Sequence, residues 1–427
     1  MRREPAGRGR HRGRRVVVTG LGPVTPIGTG REAFWEGLRS GRSGIGPITR
    51  FDASGLACRI AGEIRDFDPA QYLDPATLRR SGRAVHLAVA AAVLALADAG
   101  LTVSASLAPR LGVALGVGTS QLDIGEWAYS LFLERGLRHL SPFVLEAYFP
   151  NAAAGAVSIR TGAKGPLMTV STGCSSGANA VGWAAQAIER GMADAMLAGG
   201  TEAPITPFGV GASASARIVS TRNDDPARAS RPFDRRRDGL VLAEAAGVVV
   251  LEALELAQAR GARIYGELTG YATTANAYQM IRVDEGGDGF ARCMTLALAD
   301  AGLTPDDVDL VNAHAGSIPL TDRSECAALH AVFGERIARL PVTSIKSMLG
   351  QPFAAAAALQ VIASALMLEH ETIAPTINYE EPDPECRVAV VAGRARPAPG
   401  LRTILMNAFG YGGSNVTLVM QRHRTGA

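Results

Sequence analysis

The chain has 427 residues, 47% of them hydrophobic, and is long enough to bury a large core in one or more domains. Its net charge of +3 is too small to predict nucleic-acid binding. The five cysteines stand far apart, without CxxC or His-Cys clusters. This spacing argues against a metal site and a disulfide framework, and it favours a cytoplasmic protein.

We expect no targeting signal and no membrane-spanning segment in this sequence. Residues 1–15 are arginine-rich and poor in apolar side chains, which predicts a disordered basic arm. No signal peptide is expected, because glycine and proline break the first apolar run, at 16–18. The apolar run at 354–368 is short for a membrane span and contains Gln360 and Ser364, so we predict a buried helix and no membrane partner.

Strand-like and helix-like segments alternate along the first half of the chain. Short β-branched runs lead into stretches rich in alanine and leucine, and 121–165 is expected to be an insertion over the core or a partner surface. In chain order we expect a strand at 16–20, a loop and helix at 28–40, irregular surface at 41–82, a helix at 84–99, strands at 112–118, 169–170 and 193–199, a loop-rich stretch at 201–239, and strands at 240–251 and 262–271.

Cys174 stands at the most informative of these junctions. A β-branched run that predicts the end of a buried strand stops at Val170, Gly173 permits a sharp turn, and a helical pattern begins at Ser175. A helix N-terminus favours thiolate over thiol, and its N–H groups can hold an oxyanion. We therefore predict a nucleophile at Cys174 and buried, inert thiols at the other four positions, Cys58, Cys293, Cys326 and Cys386.

The second half of the chain repeats the first. Leu-Ala-Leu-Ala-Asp-Ala-Gly-Leu occurs at 94–101 and again at 296–303, and a strand follows each copy. A second strand-to-helix junction, at 342–353, matches the junction at Cys174. We predict a layered α/β fold from two duplicated βαβ halves, 16–258 and 259–427.

Pairing of these halves predicts one polar pocket. Ligands in such folds bind at the carboxyl ends of strands, so Cys174 should face a turn that carries Lys346 and Gln351. His314 follows the strand at 308–311 and is expected to act as an acid or base. A buried Lys346 needs a partner, and a pair with Glu325 is expected to orient the histidine.

Six segments, in this order, resemble the motifs of β-ketoacyl-acyl-carrier-protein synthases. They are 15–22, Thr172-Gly-Cys174-Ser-Ser-Gly, 231–239, Asn312-Ala-His314, Ser344-Ile-Lys346-Ser-Met and Asn407-Ala-Phe409-Gly-Tyr-Gly-Gly. Residues 206–278 look most like ketosynthase subunits of aromatic type II polyketide systems.

This resemblance implies a thiolase-like αβαβα fold and a dimer, either a homodimer or a heterodimer with a ketosynthase-like subunit. It implies acyl chains delivered on the phosphopantetheine arm of an acyl carrier protein, with no further cofactor, and a covalent thioester on Cys174. It also places Phe409 at a gate whose backbone N–H completes an oxyanion hole with that of Cys174.

The chain departs from the family's pattern at four positions. Gln351 replaces the second histidine; it can donate a hydrogen bond but cannot carry a proton in and out. Gly316 and Ile318 replace two threonines that bind the pantetheine arm, and Gln360 replaces a glutamate.

Three functions are compatible with these residues. The first is an acyltransferase that forms a carbon–carbon bond in polyketide-type specialised metabolism. The second is a non-elongating cyclase that releases the chain from Cys174 by aldol-type closure or lactonisation, without decarboxylation. The third is a non-catalytic partner subunit like the chain-length factors, which the intact Cys174 disfavours because those subunits lack the cysteine.

Overall fold

The structure, a computed structural model, describes residues 13–423, in which strands and helices alternate. The strands are β1 (Val16–Thr25), β2 (Gly28–Thr29), β3 (Ile45–Pro47), β4 (Ile60–Gly62), β5 (Leu111–Val117), β6 (Leu167–Val170), β7 (Ala195–Glu202), β8 (Ala245–Ala253), β9 (Gly266–Ala275), β10 (Leu310–Asn312), β11 (Pro341–Thr343), β12 (Thr372–Ile373), β13 (Ala389–Val390), β14 (Arg396–Pro397), β15 (Thr403–Gly410) and β16 (Ser414–Gln421). The helices are α1 (Arg31–Ser40), α2 (Pro75–Arg80), α3 (Arg83–Ala99), α4 (Leu122–Arg135), α5 (Val144–Tyr148), α6 (Ala152–Thr161), α7 (Ser176–Glu189), α8 (Pro207–Ser215), α9 (Leu254–Ala259), α10 (Asp288–Ala301), α11 (Pro319–Phe333), α12 (Lys346–Leu349) and α13 (Phe353–His370).

The strand order shows the duplication directly. In the large sheet the first half runs β6-β5-β7-β8-β1 and the second runs β11-β10-β15-β16-β9. When the five strands of each half are counted along the chain, both halves show the same spatial order: third, second, fourth, fifth, first. The two parallel and two antiparallel pairings also match between the halves. A short antiparallel contact between β1 and β9 joins them at Val17–Glu267 and Val18–Gly266.

Five layers pack in the predicted αβαβα order. Helices α7 and α13 contact each other and lie between the two sets of strands, while α3 covers β1 and β8 from outside and α10 covers β9 and β16. The apolar side chains of α13 are buried, as predicted, although this helix is long and apolar enough to cross a bilayer. The layered fold from duplicated halves is therefore confirmed.

The repeated octapeptide has a structural reason. It supplies the last turns of α3 and α10, and each helix ends at a glycine with left-handed backbone angles, Gly100 with φ 58° and Gly302 with φ 70°. Only glycine adopts this conformation without strain, so the repeat marks the same helix stop in both halves.

Some local expectations were wrong. Strand β6 is the outermost strand of its half and is partly exposed, not buried. The irregular stretch at 41–82 contains β3, β4 and α2. Residues 1–12 of the predicted basic arm lie outside the described residues. At the end of the arm, Arg14 forms an ion pair with Asp194 at 2.6 Å, and Arg15 forms one with Glu267 at 2.6 Å.

Candidate active site

Cys174 lies on a tight turn between β6 and α7. Gly173 has φ 64°, and the hydroxyl of Ser175 donates to the Thr172 carbonyl at 2.8 Å. The turn between β15 and β16 packs against it backbone to backbone. A Cβ on Gly410 would lie 2.4 Å from the Thr172 carbonyl oxygen and 3.0 Å from the Cys174 nitrogen, so this approach requires glycine.

One small cavity unites most of the predicted site residues. Cys174, His314, Gln351 and Phe409 all line it, although they come from both halves of the chain. Its volume of about 30 Å³ holds roughly one water molecule, which is much smaller than an acyl chain. The other lining residues are Leu240, Met280, Ile281, Arg282, Val283, Ile318, Thr321, Gly410, Tyr411 and Gly413.

His314 presents a hydrogen-bond donor to this cavity. The backbone N–H of Phe409 donates to its Nδ1 at 3.0 Å, so in the neutral ring the hydrogen lies on Nε2. Burial, together with the positive charge of Lys346, holds the pKa of His314 well below its ordinary value. The neutral ring therefore has no free lone pair for the acid–base role that the sequence predicted; its remaining polar group is Nε2–H.

The same hydrogen bond engages Phe409, whose backbone N–H donates to His314 in this structure. The role of this N–H in an oxyanion hole stays a prediction. Two residues further on, the backbone nitrogen of Tyr411 lies beside the cysteine turn: a Cβ on Gly173 would be 3.2 Å from it. Sequence reasoning missed Tyr411, although it stands in the same glycine-rich turn.

Lys346 and Glu325 hold the backbone of His314 rather than its ring. The Lys346 ammonium donates to the His314 carbonyl. The Glu325 carboxylate accepts from the N–H groups of His314 at 2.9 Å and Ala315 at 2.8 Å, and from the Asn407 amide at 3.0 Å. The two side chains thus hold the histidine through its main chain.

The electrostatics of Cys174 differ from those predicted at a helix N-terminus. Burial raises the pKa of the thiol to about 11, and the carboxylate of Glu202 acts in the same direction. The charge of Lys346 and a hydrogen bond from Gln351 lower it, but less than burial raises it. Burial therefore favours the thiol of Cys174 over the thiolate that the sequence predicted.

Burial also shifts the two charged groups behind the histidine. It lowers the pKa of Lys346 to about 8, against the raising effect of Glu325. It raises the pKa of Glu325 to about 7, although three hydrogen bonds and the charge of Lys346 favour the carboxylate.

The positions that depart from the family's pattern have distinct surroundings. Gln351 is buried, and its backbone N–H donates to the Val241 carbonyl at 2.7 Å. Ile318 adds an apolar wall to the cavity. The Gly316 N–H donates to Asp322 at 3.1 Å.

Gln360 is held by three carbonyl oxygens. Its Nε2 donates to the carbonyl oxygens of Asn312 at 3.0 Å, Ala313 at 2.9 Å and Asn407 at 3.1 Å. An amide nitrogen suits this arrangement because it only donates. The amide thus ties β10 to β15 just behind His314.

Gln360→Glu is expected to destabilise the protein by about 2–4 kcal/mol, because a buried carboxylate would face acceptors only. The midpoint of thermal unfolding should fall by several degrees. Gln258→Glu, on the exposed surface of α9, makes the same chemical change and should leave the midpoint unchanged. Equal midpoints for wild type and Gln360→Glu would contradict the three-acceptor arrangement.

The protonation of His314 can be measured by nitrogen NMR on protein with labelled histidine. We expect a neutral Nε2–H ring down to a pH well below 6.5, because both causes of its shift oppose a positive charge. Lys346→Met removes one of them, so the pKa of His314 should rise in that variant. A wild-type titration near 6.5 would contradict the burial and hydrogen bonding described above.

Comparison with known proteins supports the resemblance seen in the motifs. The family model "Beta-ketoacyl synthase, N-terminal domain" matches residues 13–257, and "Beta-ketoacyl synthase, C-terminal domain" matches residues 265–380. A 3-oxoacyl-[acyl-carrier-protein] synthase 2 of Synechocystis is 44% identical over 411 residues, which is 96% of this chain and 99% of the relative. The enzyme of that name from Coxiella burnetii is 44% identical over 409 residues, again 96% of this chain and 99% of the relative.

Two solved structures are also similar over 96% of this chain and 100% of their own. One is the complex AntDE:AntF, described as a type II PKS acyl-carrier protein with its ketosynthase bound to the hexaketide, at 33% identity and a TM-score of 0.89. The other is the ishigamide ketosynthase/chain length factor, at 35% identity and a TM-score of 0.90.

Proposed function

Since this chain belongs to the β-ketoacyl synthase family, we propose that it takes an acyl chain from a carrier protein onto Cys174 and extends it through a carbon–carbon bond in a type II polyketide pathway. The observation that carries the proposal is the shared cavity of Cys174, His314 and Gln351. The polyketide part of the proposal is supported by the likeness to the AntDE:AntF and ishigamide structures, at 33% and 35% identity, while the relatives named 3-oxoacyl-[acyl-carrier-protein] synthase 2 are 44% identical.

In the acylation step, Cys174 attacks the thioester carbonyl of the chain on the phosphopantetheine arm. The new C–S bond forms, the bond to the pantetheine sulfur breaks, and the thiol proton passes to the departing sulfur. The charge of Lys346 supports the attack because it lowers the pKa of Cys174. The backbone N–H of Cys174, with that of Phe409 or of Tyr411, is our candidate for the oxyanion hole.

In the extension step, a malonyl thioester loses carbon dioxide, and the resulting enolate carbon attacks the acyl carbonyl on Cys174. The C–C bond forms, the C–S bond to Cys174 breaks, and the departing sulfur takes a proton from solvent to restore the thiol. The enolate oxygen needs hydrogen-bond donors. His314 supplies Nε2–H, and the Gln351 amide stands where the family's pattern has a second histidine donor. Neither group needs to change protonation to stabilise this charge.

A second function is favoured by one residue. Gln351 can donate a hydrogen bond but cannot carry a proton in and out, so a non-elongating enzyme that only closes or releases the acyl chain is the alternative. A chain-length-factor role is disfavoured by the nucleophile on its turn. We propose a carrier protein as partner and no resident cofactor.

The edge strand β6 suggests how a second subunit joins. Leu167 is exposed on it, and the neighbouring helices α4 to α6 carry further exposed apolar residues, namely Trp127, Tyr129, Phe132, Leu133, Leu145, Phe149 and Ile159. A strand with one free edge next to such a patch favours strand pairing across a dimer. Light scattering of the purified chain, alone and with a candidate ketosynthase-like subunit, decides between homodimer and heterodimer.

An assay with acyl and malonyl carrier proteins tests the function. Intact mass should show an acyl adduct on wild-type protein, and adding malonyl carrier should release carbon dioxide and lengthen the chain. An adduct without carbon dioxide would select the non-elongating alternative. No adduct at all would overturn both.

A further inference from the structure

A chain of hydrogen bonds connects the second half of the protein to the cysteine turn. The hydroxyl of Tyr271, on β9, donates to Oδ1 of Asn179 at 2.8 Å, and the Nδ2 of Asn179 donates to Thr172 Oγ1 at 2.8 Å. An amide fits this middle place because it accepts through its oxygen and donates through its nitrogen at the same time. Thr172 stands two residues before Cys174, so the chain ends at the turn that carries the nucleophile.

The turn itself is closed by hydroxyl groups. The backbone N–H of Thr172 donates to Ser176 Oγ at 2.8 Å. Ser175 Oγ lies 3.2 Å from Thr172 Oγ1 and 3.1 Å from Ser414 Oγ, at the start of β16. The bonds within the turn fix its shape, whereas those to Asn179 and Ser414 fix its position relative to α7 and β16.

The surroundings of Tyr271 keep its hydroxyl on Asn179. A Cβ on Gly182 would lie 2.3 Å from two ring carbons of Tyr271, so a glycine at this position lets the ring lie against α7. Burial raises the pKa of Tyr271 to about 12, and the hydroxyl therefore keeps its hydrogen at neutral pH. Asn179 is buried as well, so water competes little for these bonds.

Tyr271 and Asn179 are both absent from the cavity wall. We propose that they are positioning residues that, through Thr172, direct the backbone N–H of Cys174 toward the oxygen of the acyl group. This inference rests on the proposed acylation of Cys174. The tetrahedral intermediate of acylation carries a negative oxygen, and a hydrogen-bond donor that is displaced from it stabilises it less. The direction of this N–H then depends on both halves of the chain.

Tyr271→Phe tests this role because it removes the hydroxyl and keeps the ring. Full-length protein is incubated with S-hexanoyl-N-acetylcysteamine, and intact mass over time gives the maximal rate of acylation and the half-saturating concentration. We expect the maximal rate to fall about fivefold to tenfold and the half-saturating concentration to stay unchanged, because the N–H acts on the intermediate and not on the bound donor.

Tyr265→Phe is the matched control. It removes another buried phenol hydroxyl, which donates to Asp98 at 2.9 Å and is not on the cavity wall. This variant should acylate as wild type does. Both variants lose a buried hydrogen bond, so a general loss of stability would affect them alike.

Two further measurements separate positioning from a general change in the turn. Alkylation of Cys174 by iodoacetamide forms no oxyanion, so it should keep its wild-type rate in Tyr271→Phe. Asn179→Leu should also slow acylation, and adding Tyr271→Phe to it should slow acylation no further, because the link is already broken.

Wild-type acylation by Tyr271→Phe would overturn the inference and leave the acylation proposal standing. Equal losses of alkylation and acylation, or effects that multiply in the double variant, would do the same. Absence of the hexanoyl adduct in wild type would overturn both.

Discussion

Cys174→Ala is expected to abolish acylation and to lower turnover about 10⁴-fold or more, because the variant has no atom to hold the acyl chain. Intact mass after incubation with acyl carrier protein should show the unmodified chain. Among the described residues, Cys174 is the only cysteine that lines the cavity. No other thiol is placed to take over its role.

Cys58→Ala is the matched control. Its thiol is also buried, but it donates to the Ile60 carbonyl at 3.5 Å and is absent from the cavity wall. This variant should acylate as wild type does. An adduct of equal yield on Cys174→Ala would show that the acyl chain is carried elsewhere, and the proposed mechanism would fail.

The fold was predictable because its signals are local and repeated. The octapeptides end at glycines that stop α3 and α10, and the two strand-to-helix junctions carry the turns that begin α7 and α12. The exposure of β6 was not predictable in this way. A β-branched run has the same pattern at the edge of a sheet as in its middle, and only the pairing of distant strands distinguishes the two.

The members of the site were predictable, but their chemistry was not. Turn and strand-end positions pointed to Cys174, His314, Lys346 and Gln351, and these residues do lie together. The pKa of Cys174 depends on burial by both halves of the chain, which no local pattern reports. The hydrogen bond from Phe409 to His314 spans 95 positions, and it alone decides which ring nitrogen carries the hydrogen.

His314→Ala is expected to separate the two steps of the reaction. Carbon–carbon extension should fall about 10²–10³-fold, since one hydrogen-bond donor to the developing negative charge is lost. Acylation of Cys174 should fall much less, because it relies on the thiol, the charge of Lys346 and backbone N–H groups. Carbon dioxide release and adduct formation, measured on the same sample, give the two rates.

The exposed His330 on α11 provides the control, since His330→Ala removes the same ring away from the cavity and should leave both rates unchanged. Equal losses of acylation and extension in His314→Ala would contradict a donor role confined to extension. They would instead indicate that the ring shapes the whole cavity through its hydrogen bond to the Phe409 backbone. Thermal unfolding separates these cases, because loss of that bond alone should cost only about 1 kcal/mol of stability.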